Sequence, residues 1–328
     1  MDTSEIFRVI QKYIEANPLF FIGSGSSAAY GLPGMQKLGE HLLASLSTKY
    51  DANSDWQHFE DNIKSGKDLE TAMTDIVFKE DIINDIRKET WKLISAKDLE
   101  VFSEIVFGNK EIALSKLIKI YYQAHPQKVD IITTNYDRLI EYACDKVRIP
   151  LCNGFTGHYS KFYSDAFGKK ITVNLVKVHG SLDWFKDTKG VTTTLPLQKE
   201  IPSGLVPEII TPGVSKYQAV LTGIERSLLN QCDTMIKNAS SYLCIGYGFN
   251  DTQIQALMIK EIQSGKPLVL VTMAVSDDTA HLLANNAENY AYICKGEKEN
   301  TTEICINKNL YVVDGTYWTV DGFIKIIN

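Results

Sequence analysis

Two positions in this 328-residue chain place a chemically useful side chain where a ligand can reach it. Asn135 sits in Thr133-Thr134-Asn135-Tyr136-Asp137, directly after the apolar run Val129-Asp130-Ile131-Ile132. Ligands of open α/β sheets bind beyond the carboxyl ends of strands, and this polar cluster falls there. His179 sits in Val178-His179-Gly180-Ser181, again at the end of an apolar strand. An imidazole accepts or releases a proton near neutral pH, and the glycine beside it leaves room for a substrate.

Two glycine turns accompany them. Gly23-Ser24-Gly25-Ser26-Ser27-Ala28 is a G-x-G-x-x-A turn between a predicted strand and a helix, the kind of backbone that can approach a pyrophosphate. Ile245-Gly246-Tyr247-Gly248-Phe249-Asn250-Asp251 is a further strand-to-helix turn. Each motif also has a plainer use. Glycine is the default residue for tight turns, Thr and Asn cap helices well, and a lone histidine is often structural. The acidic ribose-binding residue expected about 20 residues after the first turn has no clear counterpart, since Glu40 lies on the predicted helix.

The elements that must position these residues are legible from hydropathy. Apolar spacing predicts a helix over Ser4 to Ala16, ended by Asn17-Pro18, then a buried strand Leu19 to Ile22 and a helix from about Gln36 to Leu46. Residues 50 to 127 lose β-branched alternation and read as a helical insertion. A strand at Val129 to Thr133, a helix at Tyr136 to Lys146 and a strand at Thr172 to Val178 follow. A loop-rich stretch to about Val214 contains Pro196, Pro202, Pro207 and Pro212. The last third reads as helix Lys216 to Asn238, strand Tyr242 to Ile245, helix Thr252 to Ser264 and strand Leu268 to Met273. A helix at Asp277 to Asn286 and strands near Tyr290 and Tyr311 complete it. Such alternation implies one domain over residues 1–328, with a Rossmann-like, doubly wound parallel sheet covered on both faces.

Composition narrows the function classes. A hydrophobic share of 44% with 23% charged residues is ordinary for a soluble globular chain. The net charge of -6 provides no overall basic field, so no direct nucleic-acid binding and no membrane binding are expected. The N-terminus is acidic and amphipathic, and no apolar run approaches the roughly 20 residues a membrane span requires; a cytoplasmic location is expected. Six cysteines include no C-x-x-C pair, so no metal is expected and buried free thiols are.

Taken in order, Gly-Ser-Gly-x-Ser, Thr-x-Asn-x-Asp, His-Gly and Ile-Gly-x-Gly resemble the motif series of the sirtuin superfamily. The nearest likeness is to its bacterial branch, in which the second motif reads T-T-N-Y-D and the last roughly I-G-Y-x-x-x-D, matched by Ile245, Gly246, Tyr247 and Asp251. The resemblance runs from about Leu19 to Met273 and implies a sirtuin-like fold that takes NAD+ as substrate. It departs from the protein-deacylating sirtuins in lacking their paired-cysteine zinc ribbon. Gly31-Leu32-Pro33-Gly34-Met35-Gln36 also stands where those enzymes have Gly-Ile-Pro-Asp-Phe-Arg.

In this form the chain resembles NAD+ hydrolases of anti-phage defence, which deplete NAD+. The resemblance implies that Asn135 holds the ribose hydroxyls and the attacking water and that His179 is the general base. It implies that Asp137 receives the nicotinamide carboxamide, and that Gly23, Ser24, Gly25, Ser26, Thr133, Gly246 and Tyr247 complete the NAD+ site. An NAD-dependent deacylase or ADP-ribosyltransferase is the alternative enzyme, and a non-catalytic module binding NAD+ or ADP-ribose the alternative outside catalysis. Because unregulated NAD+ hydrolysis kills its host, control by assembly is expected: a homo-oligomer, with a HerA-type ring ATPase as the partner that one arrangement in the family implies.

Overall fold

The computed structural model describes residues 1–15, 17–67, 69–74, 76–155, 172–211 and 224–328. Its frame is a nine-stranded sheet of order β12-β11-β10-β9-β8-β1-β2-β4-β3. The strands are β1 (Leu19–Ile22), β2 (Lys128–Thr133), β3 (Leu151–Cys152), β4 (Thr172–Lys177), β8 (Tyr242–Ile245), β9 (Leu268–Val271), β10 (Tyr290–Lys295), β11 (Thr301–Ile306) and β12 (Asn309–Asp314). From β10 to β3 every neighbouring pair is parallel; β11 and β12 close one edge as an antiparallel pair.

Side-chain alternation explains why this sheet needs two helical layers. In β1, Phe20 and Ile22 enter one core, while Leu19 and Phe21 enter the other. The first core is covered by α1 (Thr3–Tyr13), α7 (Ala113–Gln123), part of α6 (Glu80–Val106) and the C-terminal α12 (Val320–Ile327). The second is covered by α9 (Ile224–Asn238), α10 (Thr252–Gln263) and α11 (Asp277–Asn286). The sheet is therefore doubly wound, as expected. Among the described residues, no helix is long and apolar enough to cross a membrane.

Between β1 and β2 the chain is helical: α2 (Gly25–Ala28), α3 (Met35–Leu46), α4 (Ser54–Lys64), α5 (Leu69–Met73), α6 and α7. Residues from α3 to the first half of α6 form a core of their own around Leu42, Trp56, Phe59, Ile82 and Ile86. The 27-residue α6 spans both regions, because Trp91, Ile94, Val101 and Ile105 belong to the main core.

Three expectations need correction. Part of the stretch after Val178 read as loop is a three-stranded antiparallel sheet, β6-β5-β7, built from β5 (Gly180–Lys186), β6 (Thr192–Thr194) and β7 (Val206–Ile209). A register shift between Gly180 and Phe185 breaks the alternation that would have revealed β5. The C-terminal region contains β11 and α12 besides the two strands expected. Asn307 and Lys308, at φ 47° and 71°, turn β11 into β12 without a glycine to announce a hairpin. Helix α8 (Leu139–Lys146) starts three residues later than Tyr136, because residues 134–138 form a loop at the sheet's end. Of the helix expected from Lys216, the part before Ile224 lies outside the described residues, as does Val214.

Candidate active site

Strands β8, β1, β2 and β4 are consecutive in the sheet and parallel, so their carboxyl ends deliver four loops to one rim. At the centre, the turns after β1 and β8 press backbone on backbone. Gly23 N donates to Ile245 O (2.9 Å) and Gly25 N to Gly246 O (3.0 Å). A Cβ at Gly23 would lie 2.3 Å from Gly246 O, and one at Gly246 would lie 2.3 Å from Ser26 N. Only glycine permits this approach, and Gly246 also holds φ +56°. Ser24 and Gly25 remain exposed above the contact, while the Ser26 hydroxyl is spent within the turn, donating to Gly23 O (2.7 Å).

The loop after β2 docks onto this turn. Thr133 Oγ1 donates to Ile22 O (2.7 Å) and accepts from Asn135 N (3.1 Å), which fixes the chain at the strand end. The buried Asn135 side chain donates from Nδ2 to Gly23 O (3.0 Å) and to Ser27 Oγ (3.1 Å). A backbone carbonyl can only accept, so the amino end must face it. Both donors are thus spent inside the protein, and the amide oxygen is the end left to accept from a hydroxyl or a water. Ser27 Oγ in turn donates to Asp137 Oδ2 (2.7 Å), and Leu139 N donates to Asp137 Oδ1 (3.2 Å).

Burial pushes the Asp137 carboxyl above the usual carboxylate range, against the opposing pull of the Lys177 ammonium and the Ser27 hydroxyl. Lys177, fully buried, donates to the Tyr136 (3.3 Å) and Asp137 carbonyls and to Glu141 Oε1 (3.0 Å). Burial also raises the Glu141 carboxyl to about 7, despite Lys177. A cavity of about 20 Å³ opens beside Asn135 and Asp137, walled by Ser26, Tyr30, Leu114 and Val320. That is room for about one water.

His179 follows β4 and belongs to a second network. Gly180 holds φ +82°, and a Cβ there would lie 1.9 Å from Glu208 O, so only glycine lets β5 leave at this angle. Ile210 N donates to His179 O (2.9 Å), and His179 Nε2 lies 2.6 Å from Asp251 Oδ2. A carboxylate only accepts, so Asp251 favours a proton on Nε2, and a neutral ring held in that tautomer keeps Nδ1 as its basic nitrogen. Asp251 follows β8 at the start of α10, three strand spacings from β4, or roughly 14 Å along the sheet. Contact across that span means that the two loops arch over the ends of β1 and β2, above Asn135 and the glycine turn.

The structure therefore brings Gly23, Ser26, Thr133, Asn135 and Asp137 into one hydrogen-bonded cluster and sets Gly246 against it. His179 is aligned beside them through Val178 N, which donates to Thr133 O (3.2 Å). The Tyr247 ring is not at the rim: it is buried between Phe21 and Phe249, at centroid distances of 5.7 and 5.0 Å. Trp184 is likewise a core residue, 5.0 Å from the Phe155 ring. Sequence reasoning gave no role to Ser27, Asp251 or Lys177. Asp251 closes the last motif, and the rule that strand-end residues converge could have paired it with His179. Nothing in the sequence distinguishes Ser27 from Ser26, or Lys177 from a surface lysine.

Residues 129–292, half of the chain, match the family model of the SIR2-like domain. No curated protein matches the chain. Solved structures similar to it include one titled for the mechanism and regulation of Sir2 enzymes, at 11% identity and TM-score 0.47, covering 88% of this chain and 92% of that one. A mutant Sir2 homologue with ADP-ribose matches at 13% identity and TM-score 0.49, covering 90% and 92%. Sir2Tm bound to a propionylated peptide matches at 13% identity and TM-score 0.44, covering 87% and 91%.

Proposed function

The chain belongs to the SIR2-like domain family, and from that premise we propose that it is an NAD+ glycohydrolase that releases nicotinamide and ADP-ribose. The observation that carries this reading is the disposition of Asn135, whose donors are spent on Gly23 and Ser27 and whose amide oxygen is left to accept. An acceptor fixed in this way orients a ribose hydroxyl or a water, and orientation alone supplies a large part of a barrier reduction.

The bond between ribose C1′ and the pyridinium nitrogen breaks with its electron pair going to nitrogen, leaving an oxocarbenium-like centre on the sugar. Water adds to that centre, and His179 Nδ1 takes the water's proton while Asp251 stabilises the imidazolium formed. Asp137, two residues after Asn135, receives the nicotinamide carboxamide. Ser24 and Gly25, exposed at the head of the glycine turn, meet the pyrophosphate.

The role in the cell that fits this chemistry is NAD+ depletion in anti-phage defence, held off until a trigger arrives. Control lies in assembly, as a homo-oligomer and with a HerA-type ring ATPase. A monomer that is fully active alone would remove that control. The hydrolase reading is tested by following NAD+ loss in wild type, Asn135→Ala and His179→Ala. Both variants are expected to lose at least a hundredfold in turnover; near-wild-type cleavage by both would overturn the assignment.

A further inference from the structure

Helix α6 carries an anomaly in its buried stripe. Trp91, Ile94, Val101 and Ile105 are apolar, as a core-facing stripe requires, but between them sits Asp98 with no exposed surface. Its carboxylate accepts from Arg138 N at Oδ1 (2.8 Å), and from Arg138 Nε (2.9 Å), Arg138 Nη2 (2.5 Å) and Tyr142 Oη (2.5 Å) at Oδ2. Arg138 is itself buried and stands three residues after Asn135. Seven residues earlier on the same face, Trp91 Nε1 donates to Leu182 O (2.7 Å), and Leu182 stands three residues after His179. The two segments also bond to each other, since Leu182 N donates to Tyr136 O (3.1 Å).

Two turns of one rigid helix therefore hold the loop that presents Asn135 and the strand that leaves His179. The first half of α6, with Ile82 and Ile86, is packed into the separate core of the preceding helices. Hydrogen bonds to a buried carboxylate are strong and directional, and stability alone does not call for a charge here: well-packed apolar groups serve a core as well or better.

We propose that Asp98 and Trp91 are positioning residues, through which the helical segment before β2 sets the relative placement of Asn135 and His179. In its catalytic consequence this rests on the NAD+ hydrolase reading; in its structural content it does not. Neither residue touches substrate in this account. Each acts through the backbone it holds.

The test uses the full chain with Asp98→Asn and, because that change leaves Arg138 without its charged partner, also Trp91→Phe. The second keeps an aromatic ring, deleting the bond to Leu182 O together with part of the buried indole volume. Amide hydrogen exchange is followed at residues 134–139 and 180–184, with β9 and β10 as internal reference, beside kcat and KM for NAD+ per folded molecule.

Exchange is expected to rise at least fivefold in those two segments and not in the reference strands, with kcat falling at least fivefold and KM within about twofold. Exchange that rises uniformly or not at all, with kcat per folded molecule unchanged, would overturn the proposal and leave Asp98 and Trp91 as packing residues. If wild type cleaves no NAD+, the hydrolase reading fails by itself, and the exchange pattern alone decides the positioning role: a local rise upholds it, a uniform one sinks it.

Discussion

A methyl group added at Gly246 would sit 2.3 Å from Ser26 N, 2.6 Å from Gly25 C and 2.7 Å from Gly25 Cα, all of them backbone atoms. Non-bonded carbons rest at about 3.5 to 4.0 Å, so Gly246→Ala forces the turns after β1 and β8 apart by about 1 Å. The left-handed backbone at φ +56° adds roughly 1 to 2 kcal/mol for any residue with a Cβ. Overpacking of this kind costs roughly 1 to 3 kcal/mol. Together these give a loss of roughly 2 to 5 kcal/mol, a large share of the ~5 to 15 kcal/mol that holds a domain together. Catalysis should suffer as well, because Gly23 O anchors Asn135 and a displacement of about 1 Å can cost roughly a hundredfold in rate. The assay is urea unfolding beside NAD+ turnover, with Gly248→Ala as the control from the same turn. A Cβ at Gly248 meets nothing closer than Asn250 Nδ2 at 3.5 Å, so that variant should unfold within about 0.5 kcal/mol of wild type. Equal stability of the two variants would refute the close-approach reasoning.

Other perturbations separate the parts of the site. Asp251→Asn removes the carboxylate 2.6 Å from His179 Nε2, and should lower kcat by roughly 10² to 10⁴ while ADP-ribose affinity, measured by calorimetry, stays within about threefold; an unchanged kcat would dismiss His179 as the base. Ser27→Ala breaks the bridge between Asn135 and Asp137; unfolding should shift by about 1 to 3 kcal/mol, with turnover per folded molecule falling at least tenfold, and equal turnover would count against the bridge. Glu141, raised to about 7 by burial, is protonated in the folded chain over a range where the unfolded chain has already ionised. Stability from this group is therefore lost as pH rises from about 4.5 towards about 7. Glu141→Gln should narrow the difference between melting temperatures at pH 5 and pH 8, and an unchanged difference would contradict the raised value.

Much of this was readable from residue order. The strands β1, β2, β4, β8 and β9 are short apolar runs bounded by Gly, Pro or polar turns, and a parallel sheet buried on both faces leaves that signature. Their carboxyl ends gave the positions of Gly23, Asn135, His179 and Gly246. What stayed hidden depends on tertiary packing. The Gly23–Gly246 approach joins residues more than two hundred positions apart, and either glycine alone passes for an ordinary turn. Lys177 and Asp98 look like surface charges until the strand register and the stripe of α6 show them buried. Tyr247 reads as a ligand contact beside Gly246, but Gly246 at φ +56° breaks the strand alternation and sends the Tyr247 ring into the core with Phe21. The small sheet of β5, β6 and β7 escaped notice because a register shift interrupts its pattern.

The central claim is that this chain hydrolyses NAD+ using Asn135, and product analysis tests it most directly. Purified protein, alone and with an acetyl-lysine peptide, is incubated with NAD+, and nicotinamide, ADP-ribose and O-acetyl-ADP-ribose are quantified beside Asn135→Ala. Nicotinamide and ADP-ribose are expected in equal amounts, independent of the peptide and abolished by Asn135→Ala. Nicotinamide release that requires the peptide and yields O-acetyl-ADP-ribose, or cleavage that survives the loss of Asn135, would contradict it.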